Sequence, residues 1–412
     1  MNVLMLGNGF DLNYELPTKY INFLNTVSFA SQAEKSTFTL GTFFGDKELQ
    51  AKDKGIANSY SKYHDVYDSI DIDPDVVDKL KSLARNNIWF SYLLKSFNKD
   101  IGWIDFEREI STVLHSFQDF LPELKVRFQG GDLPDNRINR YILETFDFFY
   151  TKISDYGVTS SGKYYAAEYS VIDEFIIEYP FGSGNKVINK EKIVAVFEKA
   201  LLELAEVLKL YLIYFVGNTV AELCKRKTIK PFPALSDAQY VITFNYTDTY
   251  EQVYRSGAVF HIHGCLQDRI ILGVNPDDAD QIETVDTLFL PFKKYYQRVI
   301  NRSDAGYLDW ISQDNENISL VVMGHSLDVT DQDIITQIFE IASDITVLYY
   351  DEKTEASLVA NLVKIYGKEK FDELRLIKRL RFLPQNASYA GFAEDRKAKE
   401  QAAMADLYRH LL

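Results

Sequence analysis

The chain has 412 residues, of which 46% are hydrophobic and 25% charged, so it can bury a sizeable core and exceeds one typical globular unit. Its net charge of −15 argues against broad binding of nucleic acid, because such binding requires a basic face that displaces counterions. The two cysteines, Cys224 and Cys265, exclude a disulfide framework and leave no cysteine pair for structural zinc.

The first predicted element is a buried strand over residues 2–6, which runs into Gly7-Asn8-Gly9-Phe10-Asp11. Glycines between a parallel strand and a helix allow a phosphate to approach bare backbone N–H groups. The pattern therefore indicates a nucleotide site, although a tight turn without a ligand has the same glycines.

The next part of the chain is mainly helical by the three- and four-residue spacing of its apolar residues. A helix over 18–27 and a polar stretch to residue 76 are followed by predicted helices at 77–97, 103–120, 137–154 and 190–226. This region is expected to form a large helical insertion in a sheet domain.

A segment rich in Tyr, Ser and Gly, residues 155–184, interrupts the predicted helices, and 170–178 is its best candidate for a short strand. Gly157 to Lys163 has the spacing of a phosphate loop. Tyr164 replaces the hydroxyl residue that holds Mg²⁺ in such loops, so a surface loop is the better interpretation.

The second half of the chain alternates strands with helices, which is typical of a mostly parallel sheet. Strands are predicted at 239–244, 258–262, 269–274, 317–323 and 345–350. Helices are predicted at 247–255, 280–311 and 331–342. The expected organisation is a first part of the α/β core at 1–76, a mainly helical insertion at 77–230, the remainder of the core at 231–352 and a C-terminal helical region at 353–412.

The uncharged segment 210–221 is shorter than the ~20 residues that a membrane span requires. No positively charged region precedes an apolar stretch at the N-terminus, so a secretory signal is not expected. These features predict a cytoplasmic protein that does not bind membranes.

Polar residues follow several of the predicted strands, and the carboxyl ends of parallel strands share the edge where ligands bind. They include Thr243 and Asn245, His263-Gly264, and Gly324-His325-Ser326. We expect these ends to converge on one crevice with the N-terminal glycines. Because side chains alternate along a strand, His261 is expected to face away from His263 and to have a packing or supporting role.

These motifs, in this order, resemble the bacteriophage abortive infection AbiH family. The resemblance rests on five segments, namely 7–11 with Leu16-Pro17-Thr18, Trp103-x-Asp105-Phe106-Glu107, 243–247, 261–264 and Gly324-His325-Ser326-Leu327. More distantly, the Asn-Tyr and His-Gly strand ends are similar to sirtuin-like NAD-consuming domains of antiphage systems. The resemblance implies a sirtuin-like, Rossmann-like α/β fold with Asn245 and His263 as catalytic pair and NAD as substrate or ligand.

The residue chemistry is compatible with cleavage of NAD to nicotinamide and ADP-ribose. Nicotinamide leaves as a neutral base, so its departure does not need the acid carboxyl group on which most glycosidases rely. The amide of Asn245 suits positioning of a ribose or water, and the imidazole of His263 suits removal of a proton. The family implies an antiphage effector; the alternatives are a non-catalytic NAD or ADP-ribose sensor and a nuclease-type toxin, and the acidic charge disfavours the latter.

The cofactor-binding residues that we predict are those of the strand ends and the glycine turn. They are Gly7, Asn8, Gly9, Phe10, Asp11, Thr243, Gly264, Gly324, His325, Ser326 and Asp351. For Asp11 a helix N-terminal charge, and for Asp351 an ordinary turn, are the alternative interpretations. No metal site is predicted, and Trp103, Asp105 and Glu107 receive no chemical role.

The partners that we expect are a small-molecule nucleotide and either further copies of the chain or a phage-derived trigger. Because uncontrolled loss of NAD would kill the host, the resting protein should be weakly active. The insertion at 77–226 is expected to cover the crevice or to mediate assembly.

Overall fold

The structure is a computed structural model that divides into two compact units. It describes residues 1–32, 37–97, 106–120, 127–129, 149–159, 162–178, 186–232, 235, 238–275, 287–303, 305–311 and 317–385. The first unit comprises residues 1–18, 216–269 and 301–412, and the second comprises 19–215 and 270–300. The predicted boundary at residue 76 lies inside a helix that spans Pro74–Arg85.

The first unit is built on a six-stranded sheet in which every neighbouring pair of strands is parallel. Its strands are β1 (Asn2–Leu6), β2 (Tyr240–Thr243), β3 (Ala258–His261), β4 (Ile318–Met323), β5 (Ala342–Tyr349) and β6 (Leu380–Pro384). Their spatial order is β3-β2-β1-β4-β5-β6. This is the order of doubly wound nucleotide-binding sheets, so the α/β, Rossmann-like prediction is confirmed for the architecture.

The central strand β1 shows why short uncharged apolar runs form this sheet. Val3 to Leu6 are buried, and β1 pairs with β2 on one side and with β4 on the other. Strands buried on both faces have no exposed side on which a polar residue would be favoured. Apolar side chains of the other strands and of the helices that pack on the sheet complete one core cluster.

Helices cover the sheet and connect its strands. They are α1 (Asn8–Asn13), α2 (Asn218–Lys225), α3 (Thr249–Tyr254), α4 (Ala305–Ile311), α5 (Gln332–Ile341) and α6 (Glu352–Leu376). A kink interrupts α6 at Gly367, whose φ of 72° is left-handed. Among the described residues, no helix is both long enough and apolar enough to cross a membrane.

The second unit is mainly helical. Its α-helices are Tyr20–Ala30, Leu40–Phe44, Lys47–Lys52, Lys54–Tyr67, Pro74–Arg85, Ile88–Phe97, Phe106–Phe120, Lys190–Tyr211 and Lys294–Asn301. A π-helical stretch at Leu212–Gly217 continues the helix Lys190–Tyr211. Short strands pair as Phe38–Thr39 with Asp71–Ile72, Ile176–Glu178 with Lys186–Ile188, and Arg127–Gln129 with Gly162–Val171, which also pairs with Phe149–Thr159.

Two helical predictions for this unit were wrong in detail. The polar stretch before residue 76 contains four helices, and Asp46, Asp53 and Asp73 cap three of them through side-chain oxygens. The predicted helix 77–97 is two helices, because the side chain of Asn87 accepts the N–H of Phe90 at 2.9 Å and starts a new one. In both segments the helix boundaries are set by capping side chains, and the spacing of the apolar residues did not predict them.

Three predicted elements differ in type. Residues 149–154 of the helix predicted at 137–154 are strand, paired in the hairpin that also contains Gly157 and Lys163, whereas 137–148 lie outside the described residues. The predicted strand 269–274 forms only an isolated bridge between Val274 and Lys293. The segment 280–311 is described from 287, where a 3₁₀ helix with Pro291 precedes two separate α-helices.

The C-terminal region was predicted to be helical apart from a break near residues 384–386, and the helical prediction was wrong for the residues just before that break. After α6, residues Leu380–Pro384 add the edge strand β6 to the sheet, and residues 386–412 lie outside the described part. Arg381 in this strand donates to Thr346 and Asp344 of β5. A charged residue in a short edge strand masks the alternation that would otherwise identify it.

Candidate functional site

Two glycine turns meet at the carboxyl edge of the sheet. The N–H of Gly7 donates to Met323 O at 3.2 Å, and the N–H of Gly9 donates to Gly324 O at 2.8 Å. A Cβ atom on Gly9 would lie 2.6 Å from Gly324 Cα, and one on Gly324, whose φ is 71°, would overlap the amide nitrogen of Phe10. The contact between the turns after β1 and β4 therefore requires these glycines, at the point where the strand order reverses.

Asn245 is fixed beside this contact. Its side-chain Nδ2 donates to Gly7 O at 3.1 Å, and its backbone N–H donates to the hydroxyl of Thr243 at 3.1 Å. The residue is buried, and its Oδ1 accepts no hydrogen bond from any described residue. One acceptor and one N–H of the amide thus remain for a ligand or water.

His263 and His325 converge on one carboxylate. Nε2 of His263 lies 3.1 Å from Asp331 Oδ1, and Nε2 of His325 lies 3.5 Å from Asp331 Oδ2. The N–H of His263 does not point straight at the oxygen, so the contact is an ion-pair distance rather than an aligned hydrogen bond. Catalytic hydrogen bonds are often poorly aligned before substrate binds. All three residues are at most 7% exposed.

An apolar ring packs against both imidazoles. The ring centroid of Phe244 lies 5.3 Å from that of His263 and 4.1 Å from that of His325. Because an apolar neighbour lowers the local dielectric, the attraction between Asp331 and a protonated imidazole is stronger here than in water.

Asp11 is a buried carboxyl group near the end of β2. Thr247 Oγ1 donates to its Oδ2 at 2.6 Å, and the hydroxyl group of Thr249 also interacts with this carboxyl group. Burial raises the pKa of Asp11 to about 6, against the opposing hydrogen bonds from Thr247 and Thr249. With this pKa, about half of the carboxyl groups are protonated at pH 6 and about a tenth at pH 7, and the protonated form can donate a hydrogen bond.

The raised pKa of Asp11 has a measurable effect on stability. The pKa of Asp11 is about 6 in the folded protein and near 4 in the unfolded chain, so the folded state holds the proton more tightly. The resulting stability is fully present below pH 4 and is lost as pH rises through about 6. Relative to Asp11→Asn, the wild type should lose on the order of 3 kcal/mol of unfolding free energy between pH 4 and pH 7, measured in urea. Asp351→Asn is the control, because a hydrogen bond from Thr354 lowers the pKa of Asp351 and reverses the sign. A pH-independent difference for Asp11→Asn would contradict the burial argument.

His261 supports Asn245 from the neighbouring strand. Its Nδ1 lies 2.9 Å from Asn245 O, and its Nε2 lies 2.7 Å from Glu251 Oε1. Burial lowers the pKa of His261, but the hydrogen bond and charge of Glu251 outweigh it, so the pKa is raised. The structure thus places His261 on the backbone of Asn245 and away from Asp331.

The remaining predicted cofactor residues are not equally close to this cluster. Asn8 Nδ2 donates to Thr18 O at 3.3 Å, and Phe10 packs edge-on against Tyr14 in the core.

Gly264, with a φ of 78°, closes the turn after His263 by donating to His261 O. Ser326 is exposed and its carbonyl accepts from Asn361, while Asp351 caps α6 through Thr354.

The Trp103 motif belongs to the second unit. Trp103 and Asp105 lie outside the described residues, whereas the ring of Phe106 stacks on Tyr20 with centroids 4.0 Å apart. Glu107 forms a 2.6 Å ion pair with Lys294, which is 1% exposed. A buried lysine requires such a partner, so Glu107 has a structural role in this unit.

Three acidic or hydroxyl residues contact the predicted site although their sequence positions did not indicate it, namely Thr247, Glu251 and Asp331. Asp331 directly precedes α5, where an aspartate is ordinarily interpreted as a helix cap. Thr247 lies just before the helix that follows β2, and Glu251 lies in its first turn. Polar and acidic residues are common at the start of any helix, so their positions gave only a weak signal.

A surface depression also exists at the opposite, amino edge of the sheet, where Met1, Gln239, Tyr240 and Ala258 line it. The strand ends that bear Asn245 and His263 are at the carboxyl edge, where ligands of open α/β sheets bind. The amino-edge depression is therefore not the candidate site.

The comparison with known families agrees with this placement of motifs. A family model described as bacteriophage abortive infection AbiH matches residues 3–351, which include the strand ends β1 to β4 and the cluster around Asp331. No curated protein and no solved structure matches the chain. Because the match covers most of its length, the chain belongs to the bacteriophage abortive infection AbiH family.

Proposed function

We propose that this protein is an antiphage effector that binds NAD at the carboxyl edge of its sheet and hydrolyses it to nicotinamide and ADP-ribose. The observation that supports this most is the position of Asn245 and His263. Both lie at the carboxyl edge of the sheet, whose strand order β3-β2-β1-β4-β5-β6 reverses at β1. Asn245 donates to the carbonyl group of Gly7, and His263 lies next to the buried carboxylate of Asp331.

The proposed roles follow from the positions of these side chains and, for Asn245, from the donor and acceptor that it does not use within the described structure. Asn245 uses one N–H for Gly7, so its Oδ1 and second N–H hold the ribose or the attacking water. His263 removes a proton from that water or from a ribose hydroxyl, and Asp331 stabilises the imidazolium that results. In its protonated form, which the raised pKa favours as pH falls towards 6, Asp11 supplies a hydrogen-bond donor to a ribose or amide oxygen.

The two glycine turns suit a ligand with a diphosphate. Their backbones pack together at the end of β1, beside the start of α1. The N–H groups of Gly7, Gly9 and Phe10 donate to carbonyl groups there, so the N–H of the exposed Asn8 is the one that we assign to a phosphate. The sirtuin-like part of the sequence resemblance belongs to this proposal as well, since it supplies the choice of NAD among nucleotides.

The test is turnover of NAD by the purified chain. We expect nicotinamide and ADP-ribose to appear in equal amounts, measured by chromatography, when protein is incubated with NAD. ATP under the same conditions is the control and should remain unchanged. An unchanged NAD pool, with and without extract of phage-infected cells, would contradict the enzymatic proposal.

A second candidate is a non-catalytic sensor of NAD or ADP-ribose. The burial of Asn245 and His263, which are 7% and 5% exposed, favours it, because a substrate reaches them only after the edge opens. The two candidates differ in one result. Saturable binding of NAD in a calorimetric titration, without release of nicotinamide in infected-cell extract, would identify the sensor.

A further inference from the structure

We propose that His261 is a positioning residue that holds Asn245 only while its ring is an imidazolium, so that turnover falls when the ring loses a proton. This inference rests on the proposed function and adds to it a residue and a control by pH. It is carried by two hydrogen bonds that connect one ring to two acceptors within the first unit.

Both hydrogen-bond partners of the His261 ring are acceptors. Its Nδ1 lies 2.9 Å from the backbone carbonyl oxygen of Asn245, which has no proton to donate. Its Nε2 lies 2.7 Å from Oε1 of Glu251, the distance of a charge-assisted hydrogen bond. A neutral imidazole has one N–H and can donate to only one of these oxygens. Because a carboxyl group is a stronger acid than an imidazolium, the proton shared with Glu251 belongs to the ring, which therefore carries two protons.

The charges around His261 stabilise the imidazolium. Glu251 lies in the first turn of α3, and Asp248 is the N-cap residue of that helix. Burial of the ring lowers the pKa of His261, but the hydrogen bond and charge of Glu251 outweigh it. The hydrogen bond to Asn245 and the charge of Asp248 act in the same direction as Glu251, so the pKa is raised above its ordinary value of 6.5. The surroundings thus favour the charged state that the two hydrogen bonds require.

Further titratable groups at this edge of the sheet are Asp11 and His263. Burial is the main cause of the raised pKa of Asp11, and the negative charges of Asp248 and Glu251 contribute to it. Asp11 therefore belongs to the same acidic group as the two carboxylates that act on the ring, and its ionised form adds to their field. His263 lies 3.1 Å from a different carboxylate, that of Asp331.

Asn245 is held at three of its atoms, and His261 supplies the contact that depends on pH. The backbone N–H of Asn245 donates to the hydroxyl of Thr243, and its Nδ2 donates to Gly7 O. Its carbonyl oxygen accepts from the imidazolium. The side-chain Oδ1 is the atom that we propose to hold the ribose or water, so a shift of this backbone misplaces the reacting group.

Loss of one proton breaks the bond to Asn245 rather than the bond to Glu251. The remaining N–H goes to the charged acceptor, because charge-assisted hydrogen bonds are roughly twice as strong as neutral ones. Nδ1 then turns a lone pair towards the carbonyl oxygen of Asn245, and the two atoms repel each other. The bond to Asn245 is therefore fully present well below pH 6.5 and is lost as the pH rises through the raised pKa of His261.

The first kinetic test is His261→Ala. It should lower kcat at pH 7 by at least about tenfold with little change in KM, because a loosened Asn245 misplaces the reacting group but still contacts NAD. Wild-type turnover should decline as the pH rises above 7, and the variant should lack this decline. His64→Ala, which removes an exposed imidazole of the second unit, should keep the wild-type profile.

Glu251→Gln separates the charge of the ring from its bond to Asn245. The glutamine amide donates to Nε2 of a neutral ring, which leaves the one ring N–H on Nδ1 for Asn245. This variant should lose less turnover at pH 7 than His261→Ala, and its turnover should stay level where the wild type declines. Asp248→Asn removes a charge but no bond to the ring, so the decline should remain and move to lower pH. An unchanged alkaline decline in Glu251→Gln would overturn the proposal.

A spectroscopic measurement tests the charge of the ring without NAD. In ¹⁵N spectra of histidine-labelled protein at pH 6.5, most His261 rings should carry protons on both nitrogens, and they should titrate at higher pH than in Glu251→Gln. A ring that is mostly neutral at pH 6.5, or the same titration in both proteins, would overturn the assignment. The expected spectra without nicotinamide release in infected-cell extract would support the charge assignment and contradict only the proposed function.

Discussion

His263→Ala and Asn245→Ala should each lower the turnover of NAD by at least about a hundredfold while the protein remains folded. His263→Ala removes the base next to Asp331, and Asn245→Ala removes the amide that Gly7 holds in place. The measurement is nicotinamide release by purified variants, with circular dichroism as the test of folding. The stability loss for Asn245→Ala should be about 1 kcal/mol, for its lost hydrogen bond. That for His263→Ala should be larger, because the buried Asp331 then keeps only His325 as an imidazole neighbour.

Two substitutions at exposed positions of the second unit serve as matched controls. His64→Ala removes an imidazole whose recorded ion pair is with Asp65, and Asn58→Ala removes an exposed amide from a helix. Both variants should keep wild-type turnover. Full NAD hydrolysis by folded His263→Ala would rule out the general-base role.

Gly324→Ala should destabilise the first unit by about 2–5 kcal/mol, the largest effect on stability that we expect from any single methyl group here. The added carbon requires a left-handed backbone for alanine and overlaps the amide of Phe10, so the turns after β1 and β4 must separate. Urea unfolding followed by tryptophan fluorescence measures the loss. NAD binding should weaken along with it, because the same turns form the proposed diphosphate site.

Gly367→Ala is the control for backbone strain alone. Gly367 has a φ of 72°, nearly the same as Gly324, but an added Cβ atom meets nothing within 4 Å. With a ψ of 162°, its backbone is in a region that glycine almost alone adopts, so the cost should be about 1–3 kcal/mol. Equal losses in the two variants would show that contact between the two turns does not require a glycine at residue 324.

Most of the sheet was predictable because its central strands contain short, uncharged, apolar runs. Residues 3–6, 318–323 and 345–349 are mostly buried, and strands buried on both faces are encoded by such runs. The edge strand β6 has no such apolar run, because the charged Arg381 lies within it. The helices before residue 76 were missed because their apolar faces are narrow and their ends depend on aspartate caps.

The residues of the candidate site that directly follow a strand could be predicted from the sequence, whereas those on other elements could not. Asn245, His263 and the glycine turns follow strands, and parallel strands bring their ends to one edge. Asp331 follows a 3₁₀ turn and starts a helix, so its sequence context predicts a cap. Its contact with His263 depends on the tertiary arrangement of β3 and α5, which no local pattern encodes.

The account can be tested most directly by measuring NAD in bacteria that carry this protein during phage infection. Cells with the wild-type chain should lose NAD and accumulate nicotinamide before lysis, whereas cells with His263→Ala should keep their NAD and lose protection. Protection by the wild-type chain with an NAD level equal to that of His263→Ala cells would contradict the account.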